Sequence, residues 1–260
     1  MISAGAVTRT PIIVRCIKHP WGRLSMAMLK RDARIAGLIY LALTITAPFR
    51  LIYIPNTLFV HDNPAATASN IEAHELMFRL GIFGDLLTGV ISLLLTFTLY
   101  QLFKGVNKTL ASLMFVLGFM DTPLYFFNVL NDAAALLLVK GGPILAAFEQ
   151  PQREALAALF LRLHGMMISC AEMFWGLWLF PLALLVIRSR FLPRFLGYWL
   201  ILNGFAYLAL CVTGVVLPAY EDVISKVAFP LQLGELAFVL WMVVMGARPR
   251  ADIATTTAAG

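Results

Sequence analysis

The sequence predicts an all-α integral membrane protein, a six-helix transmembrane bundle with both termini cytoplasmic. Three observations predict it. Apolar residues make up 60% of the 260 and charged residues only 13%, against about a quarter charged in soluble domains; the mean hydropathy is +0.84. The apolar residues fall in runs near or above the roughly 20 that carry a helix across a bilayer. The basic residues flank those runs on alternate sides, which is the signature of topology. Helices are the expected spanning element because lipid offers an open backbone no hydrogen-bond partner. The alternating strands of about 10 residues that a transmembrane barrel needs are absent from the sequence.

Residues 1–33 are basic and only patchily apolar: Pro11-Ile-Ile-Val is cut short by Arg15, Lys18 and His19, too short for a signal-peptide core. Two readings stand here. The segment is a cytoplasmic arm lying on anionic lipid, or translation starts at Met26 or Met28. A transmembrane domain is expected over 34–246. Helix 1 runs from about Ile35 to Ile54. The polar stretch His61 to Asn70 supplies turn and cap residues. Helix 2 runs from about Ile71 to Phe103, its first two turns above the lipid, and helix 3 from about Leu110 to Val139. Gly141-Gly-Pro143 breaks the chain. Helix 4 extends from about Arg153 to Ile187, bent at Pro181 or divided near Gly165. After the basic turn Arg188 to Arg194, helix 5 covers Phe195 to Leu217 and helix 6 Val227 to Gly246. Residues 247–260 read as a disordered cytoplasmic tail.

Orientation follows from Lys and Arg alone. Seven lie in the arm through Arg34. Lys104 and Lys108 follow helix 2, Arg188, Arg190 and Arg194 follow helix 4, and Arg248 and Arg250 end the chain: fourteen on one side. Lys140, Arg153 and Lys226 make three on the other. These positions account for the net charge of +6 without a nucleic-acid partner; the expected partner is the lipid bilayer, with the bacterial inner membrane as location.

No cofactor or metal is expected. Cys16, Cys170 and Cys211 are too scattered for a disulfide framework or a Cys-x-x-Cys site. His74 beside Glu75 has no second His at ligand spacing and reads as a capped helix start, with Glu75 pairing to Arg79 one turn on. Trp175, Trp178, Trp199 and Trp241 fit anchoring or packing. No His-Glu-x-x-His, Gly-x-Ser-x-Gly or phosphate-binding Gly loop occurs, so no catalytic residue is assigned.

The informative residues are ionisable groups inside the spans, each costing about 2.5–3.5 kcal/mol at mid-bilayer. Arg50, Asp85, Asp121, Glu172 and Glu235 lie within spans, and Arg79, Asp132, Arg162 and His164 nearer the ends. Helical phase groups them, because positions three or four apart share a face. Helix 2 carries Gly81, Asp85, Thr88 and Ser92. Helix 3 carries Gly118, Asp121, Tyr125, Asn128 and Asp132. Helix 4 carries Arg162, Gly165, Ser169, Glu172 and Gly176, and in helix 6 Gln232 and Glu235 share a side. These stripes are expected to face the bundle interior. At about 1.5 Å per residue, Asp85 and Glu235 lie roughly 8–12 Å below the outer surface and Asp121 near mid-membrane.

Segments of the chain resemble an uncharacterised bacterial membrane family, domain of unknown function 4386. They are Arg34-Ile-Ala-Gly-Leu-Ile-Tyr40, Ala65-Ala-Thr-Ala-Ser-Asn-Ile-Glu-Ala-His-Glu75 running into Phe78-Arg-Leu-Gly81, Leu192-Pro-Arg-Phe-Leu-Gly197, and Gly234-Glu-Leu-Ala-Phe-Val-Leu-Trp241. The resemblance implies a six-helix-type membrane protein and carries over no activity, cofactor or catalytic residue.

Two functional expectations follow. The first is a small-ligand binding or transport-type bundle whose polar pocket opens to the extracytoplasmic side, built from Arg50, Asp85, Asp121, Tyr125, Asn128, Arg162, Glu172 and Glu235. The second is a structural or regulatory subunit whose buried charges only pair helices. A membrane enzyme, the third class, would need a nucleophile, metal or acid–base pair within about 3 Å.

Overall fold

The structure, a computed structural model, describes residues 26–248. Residues 1–25, and the tail from 249 onward, lie outside the described residues, as do the readings made of them. Every regular element among the described residues is helical, and six helical stretches are long and apolar enough to cross a membrane. The shortest, 22 residues, spans about 33 Å, enough for a hydrocarbon core of about 30 Å. Large apolar side chains such as Leu38 (55% exposed), Ile45 (66%) and Phe127 (65%) stud the exterior. An apolar exterior of that kind suits lipid, not water. The chain is a multi-pass membrane protein.

The first span comprises α1 (Met26–Pro48), a turn of π-helix (Phe49–Tyr53) and α2 (Ile54–Leu58). It begins well before the expected Ile35, because Met26 to Arg34 is rich in helix formers and simply continues the helix. Pro48 and Pro55 remove the N–H groups that the carbonyls of Thr44 and Leu51 would accept, and the turn between them widens. Thr44 Oγ1 bonds back to the Tyr40 carbonyl at 2.9 Å, loosening the same stretch.

The polar stretch after it is not a plain loop. It folds into α3 (Pro64–Ala73), with Asn63 accepting from the Ala66 N–H at 3.0 Å and Pro64 at the first position. The second span is α4 (Glu75–Phe103), so it starts at Glu75 and not Ile71. His74 breaks the chain between the two helices but makes no side-chain cap bond, contrary to the capped start expected there. Glu75 pairs with Arg79 at 2.7 Å as expected, and also with Lys140 at 2.8 Å.

The third span is interrupted into α5 (Lys108–Phe119) and α6 (Asp121–Lys140), since Pro123 offers no N–H to the Phe119 carbonyl. Gly141 and Gly142, both at positive φ (66° and 127°), end it, where other residues would be strained. The fourth span, α7 (Gln150–Arg188), opens on a Glu149–Gln152 capping box and runs unbroken through Gly165 and Pro181. The fifth is α8 (Arg194–Val215). The sixth is a short turn (Pro218–Tyr220) leading into α9 (Glu221–Val244), earlier than the expected Val227.

Two apolar clusters close the ends of the bundle. Leu99, Phe103, Met114, Leu182, Val186 and Met242 belong to one, at the face where α1 begins and α9 ends. Ile54, Leu58, Ile71, Phe78 and Leu161 belong to the other, at the opposite face. Small residues let helix backbones touch: a Cβ added at Gly176 of α7 would lie 2.7 Å from the Gly204 carbonyl of α8.

Candidate functional site

Between the two apolar clusters lie two separate polar layers. The first is an ion cluster around Arg50, which the π-turn presents at 3% exposure. Its Nε donates to Asp85 Oδ2 on α4 at 2.9 Å, and its Nη2 to Asp132 Oδ2 on α6 at 2.5 Å. His164 on α7 stands with Nε2 3.0 Å from Arg50 Nη2 and Nδ1 3.1 Å from Asp132 Oδ2. A proton on Nδ1, donated to Asp132, leaves Nε2 to accept from the guanidinium; this tautomer satisfies both neighbours. Asn128 steadies His164 by donating to its carbonyl at 3.2 Å. One ligand atom each from Asp85, Asp132 and His164 falls within 4.8 Å of the others, which is also a metal-ligand set. Here the cation held by both Oδ2 atoms is the guanidinium itself. Four spans are thereby fastened by one side chain.

The second layer lies about 10–16 Å further along the helices, counted from Asp85 to Ser92 on α4 and from Asp132 to Asp121 on α6. It is a cavity of about 190 Å³ into which Asp121 and Glu235 both face. Asp121, 7% exposed, accepts from Trp175 Nε1 at 2.6 Å and Ser92 Oγ at 3.3 Å. Glu235 accepts from the Tyr40 hydroxyl, from the Tyr207 hydroxyl at 3.2 Å and from Asn203 Nδ2 at 3.2 Å. Every one of these donors is neutral, and among the described residues no Lys, Arg or His lines the cavity. The hydrogen bonds orient the two carboxyl groups and bring no cation to them. On the rim, Leu236 of α9 is 38% exposed and Thr44, Ala47 and Leu51 of the first span are half-buried, so the opening lies between α1 and α9.

The eight candidate residues therefore divide. Arg50 and Asp85 belong to the ion cluster with Asn128 beside it, and Asp121, Tyr125 and Glu235 line the cavity. Arg162 and Glu172 join neither. Arg162 is exposed, in a surface recess with residues 59–64, and Glu172 is half-buried with no hydrogen bond or ion pair among the described residues. Ten residues separate them on α7, about 15 Å, so the two do not meet although they were placed on one stripe. The reason is a phase error: the buried face of α7 runs through Ala157, Leu161, His164, Ala171 and Trp178, and Arg162 lies across the helix from it. The depth of Glu235 is likewise corrected, because α9 starts early and carries it deeper, level with Tyr40 and away from Asp85.

Sequence reasoning did not select Asp132, His164, Tyr40, Trp175, Asn203 or Tyr207. Asp132 was legible, being in phase with Tyr125 and Asn128. Trp175 is no bilayer anchor, since its indole N–H is spent on Asp121. His164 stood out only as an ionisable residue near a span end, and Tyr40, Asn203 and Tyr207 are polar residues of apolar helices that nothing local distinguishes.

No curated protein and no solved structure matches the chain. A family match does cover residues 35–246, from within the first span to just past the end of the last. The chain belongs to the family described as a domain of unknown function, DUF4386.

Proposed function

We propose that this protein is a small-ligand binding or transport-type membrane bundle whose site is the cavity holding Asp121 and Glu235. The observation that supports the reading is two carboxylates on one cavity without a cation partner, where burial of uncompensated charge is costly. Fold-fastening needs no such arrangement, and ligand recognition does. The termini are cytoplasmic, in keeping with the fourteen-to-three distribution of basic residues; in that orientation the cavity lies on the cytoplasmic side of the Arg50 cluster and opens sideways between α1 and α9, not straight to the extracytoplasmic face. The second reading, a structural or regulatory subunit, is favoured by the Arg50 cluster, whose ion pairs are buried and join helices to one another.

Reporter fusions after Lys104, after Arg190 and at the tail are expected to read cytoplasmic, and fusions near Asn63 or Gly142 extracytoplasmic. One reversed position would break the orientation. Access is tested by Thr44→Cys in a background with the native cysteines replaced. A small thiol reagent should modify it in isolated membranes; no modification would leave the structural reading standing.

Glu235→Gln separates the readings by stability. The carboxamide keeps an acceptor for a tyrosine hydroxyl, and its N–H₂ can meet Asn203 Oδ1, which is buried without a donor. The change in unfolding free energy is expected to stay below about 1 kcal/mol. A loss of several kcal/mol in a denaturation series would show that Glu235 holds the fold together.

A further inference from the structure

We propose that the cavity takes a small organic cation, an ammonium group carried on a compact aromatic or aliphatic body. The inference rests on the cavity being a ligand site and names the chemistry of its ligand. Charge is the first argument. Asp121 and Glu235 face the same space, and the side chains within reach supply only neutral donors. In a low-dielectric interior two carboxylates repel an anion and leave a neutral guest with nothing to offset. A guest with a positive charge supplies what the walls lack.

The walls give the second argument. Tyr40 and Trp178 meet at 6.0 Å between ring centroids, and Trp175 and Tyr207 pack edge to face at 5.7 Å. With Tyr125 and Phe174 they put six aromatic rings on the cavity wall. Aromatic faces attract ammonium ions, most strongly when desolvated, and clusters of them recognise alkylated ammonium groups. A hard divalent ion is poorly served here: it wants six or more oxygens, and Leu43, Leu51, Leu95 and Leu236 occupy much of the remaining wall. An amphipathic cation uses both surfaces at once, charge against the carboxylates and carbon against the rings.

Two further observations agree. Asn203, fully buried, donates to Glu235 while its own Oδ1 has no donor, so the polar group beside this carboxylate is short of N–H and not of acceptors. In size, a cavity of ~150 Å³ accommodates benzene, and about 190 Å³ leaves room for one short substituent.

The test uses three probes of one skeleton and different charge: benzylammonium, benzyl alcohol and benzoate. Each is titrated calorimetrically into the purified full-length protein in lipid nanodiscs. Benzylammonium should bind at least tenfold more tightly than benzyl alcohol, and benzoate should not bind. Glu235→Gln and Asp121→Asn should each weaken benzylammonium at least tenfold, while Glu235→Asp, which keeps the charge, retains most of the affinity and serves as the folding control. Equal affinity for the alcohol, or tighter binding of benzoate, would overturn the cation assignment yet leave the cavity as a binding site. Benzylammonium binding that both neutral variants preserve would place it elsewhere and overturn the inference. Absence of binding by all three probes, together with an unreactive Thr44→Cys, would overturn the inference and the cavity site alike.

Discussion

Arg50→Met should destabilise the protein by about 3–5 kcal/mol, the range observed when one partner of a buried ion pair is removed. The guanidinium is the sole cation touching Asp85 and Asp132 among the described residues apart from His164, whose ring is charged only if protonated. Removing it leaves two carboxylates facing each other, at 0% exposure for Asp132, inside a hydrocarbon-wrapped bundle. The loss should be repaired by taking the charge out on both sides. Arg50→Met combined with Asp85→Asn and Asp132→Asn should recover most of the stability, because a neutral cluster of similar volume no longer carries a desolvation penalty. Equilibrium unfolding in mixed micelles measures both. If the single variant unfolds at the wild-type midpoint, the cluster does not hold the four spans together and must be assigned another role.

Gly176→Leu is expected to have the next largest effect. The Cβ of any other residue at 176 would meet the Gly204 carbonyl at 2.7 Å and Leu208 at 2.9 Å. The first of these is backbone and cannot rotate away. Overpacking costs about 1–3 kcal/mol where side chains can adjust; alanine, which already carries the clashing Cβ, should fall within that range, and leucine should reach or exceed its top. Gly176 lies beside Trp175 on α7, so forcing α7 from α8 also moves the indole that holds Asp121. Probe binding at the cavity should therefore fall along with stability, while Arg50 and its partners, about 18 Å along α7 from Gly176 at His164, stay engaged. A Gly176→Leu protein as stable as wild type would show that the α7–α8 backbone contact is looser than described.

The spans, their number and the inward stripes of α4 and of α5 with α6 follow from the sequence by itself. Hydropathy over some 20 residues is a long-range sum that tolerates local errors, and the polar residues Asp85, Thr88, Ser92, Asp121, Asn128 and Asp132 are forced inward because lipid rejects them wherever the neighbouring helices stand. The same rule failed for α7. Arg162 lies near the end of a 39-residue helix that overruns the bilayer, where a charge can stay exposed at little cost, and its apparent stripe with Glu172 was accidental.

What tertiary structure alone decided is which charge meets which. Sequence assembled one polar pocket from eight residues; the fold divides them into a fastened ion cluster and an unpaired cavity. The division depends on axial offsets between helices, set by where α9 begins, by the prolines that widen the turn at Arg50, and by glycine contacts that fix how α7 seats against α8. Those offsets come from side-chain packing summed over all six spans, so no single helix encodes them. A shift of a few residues along one helix, about 5 Å per turn, would have brought different partners together.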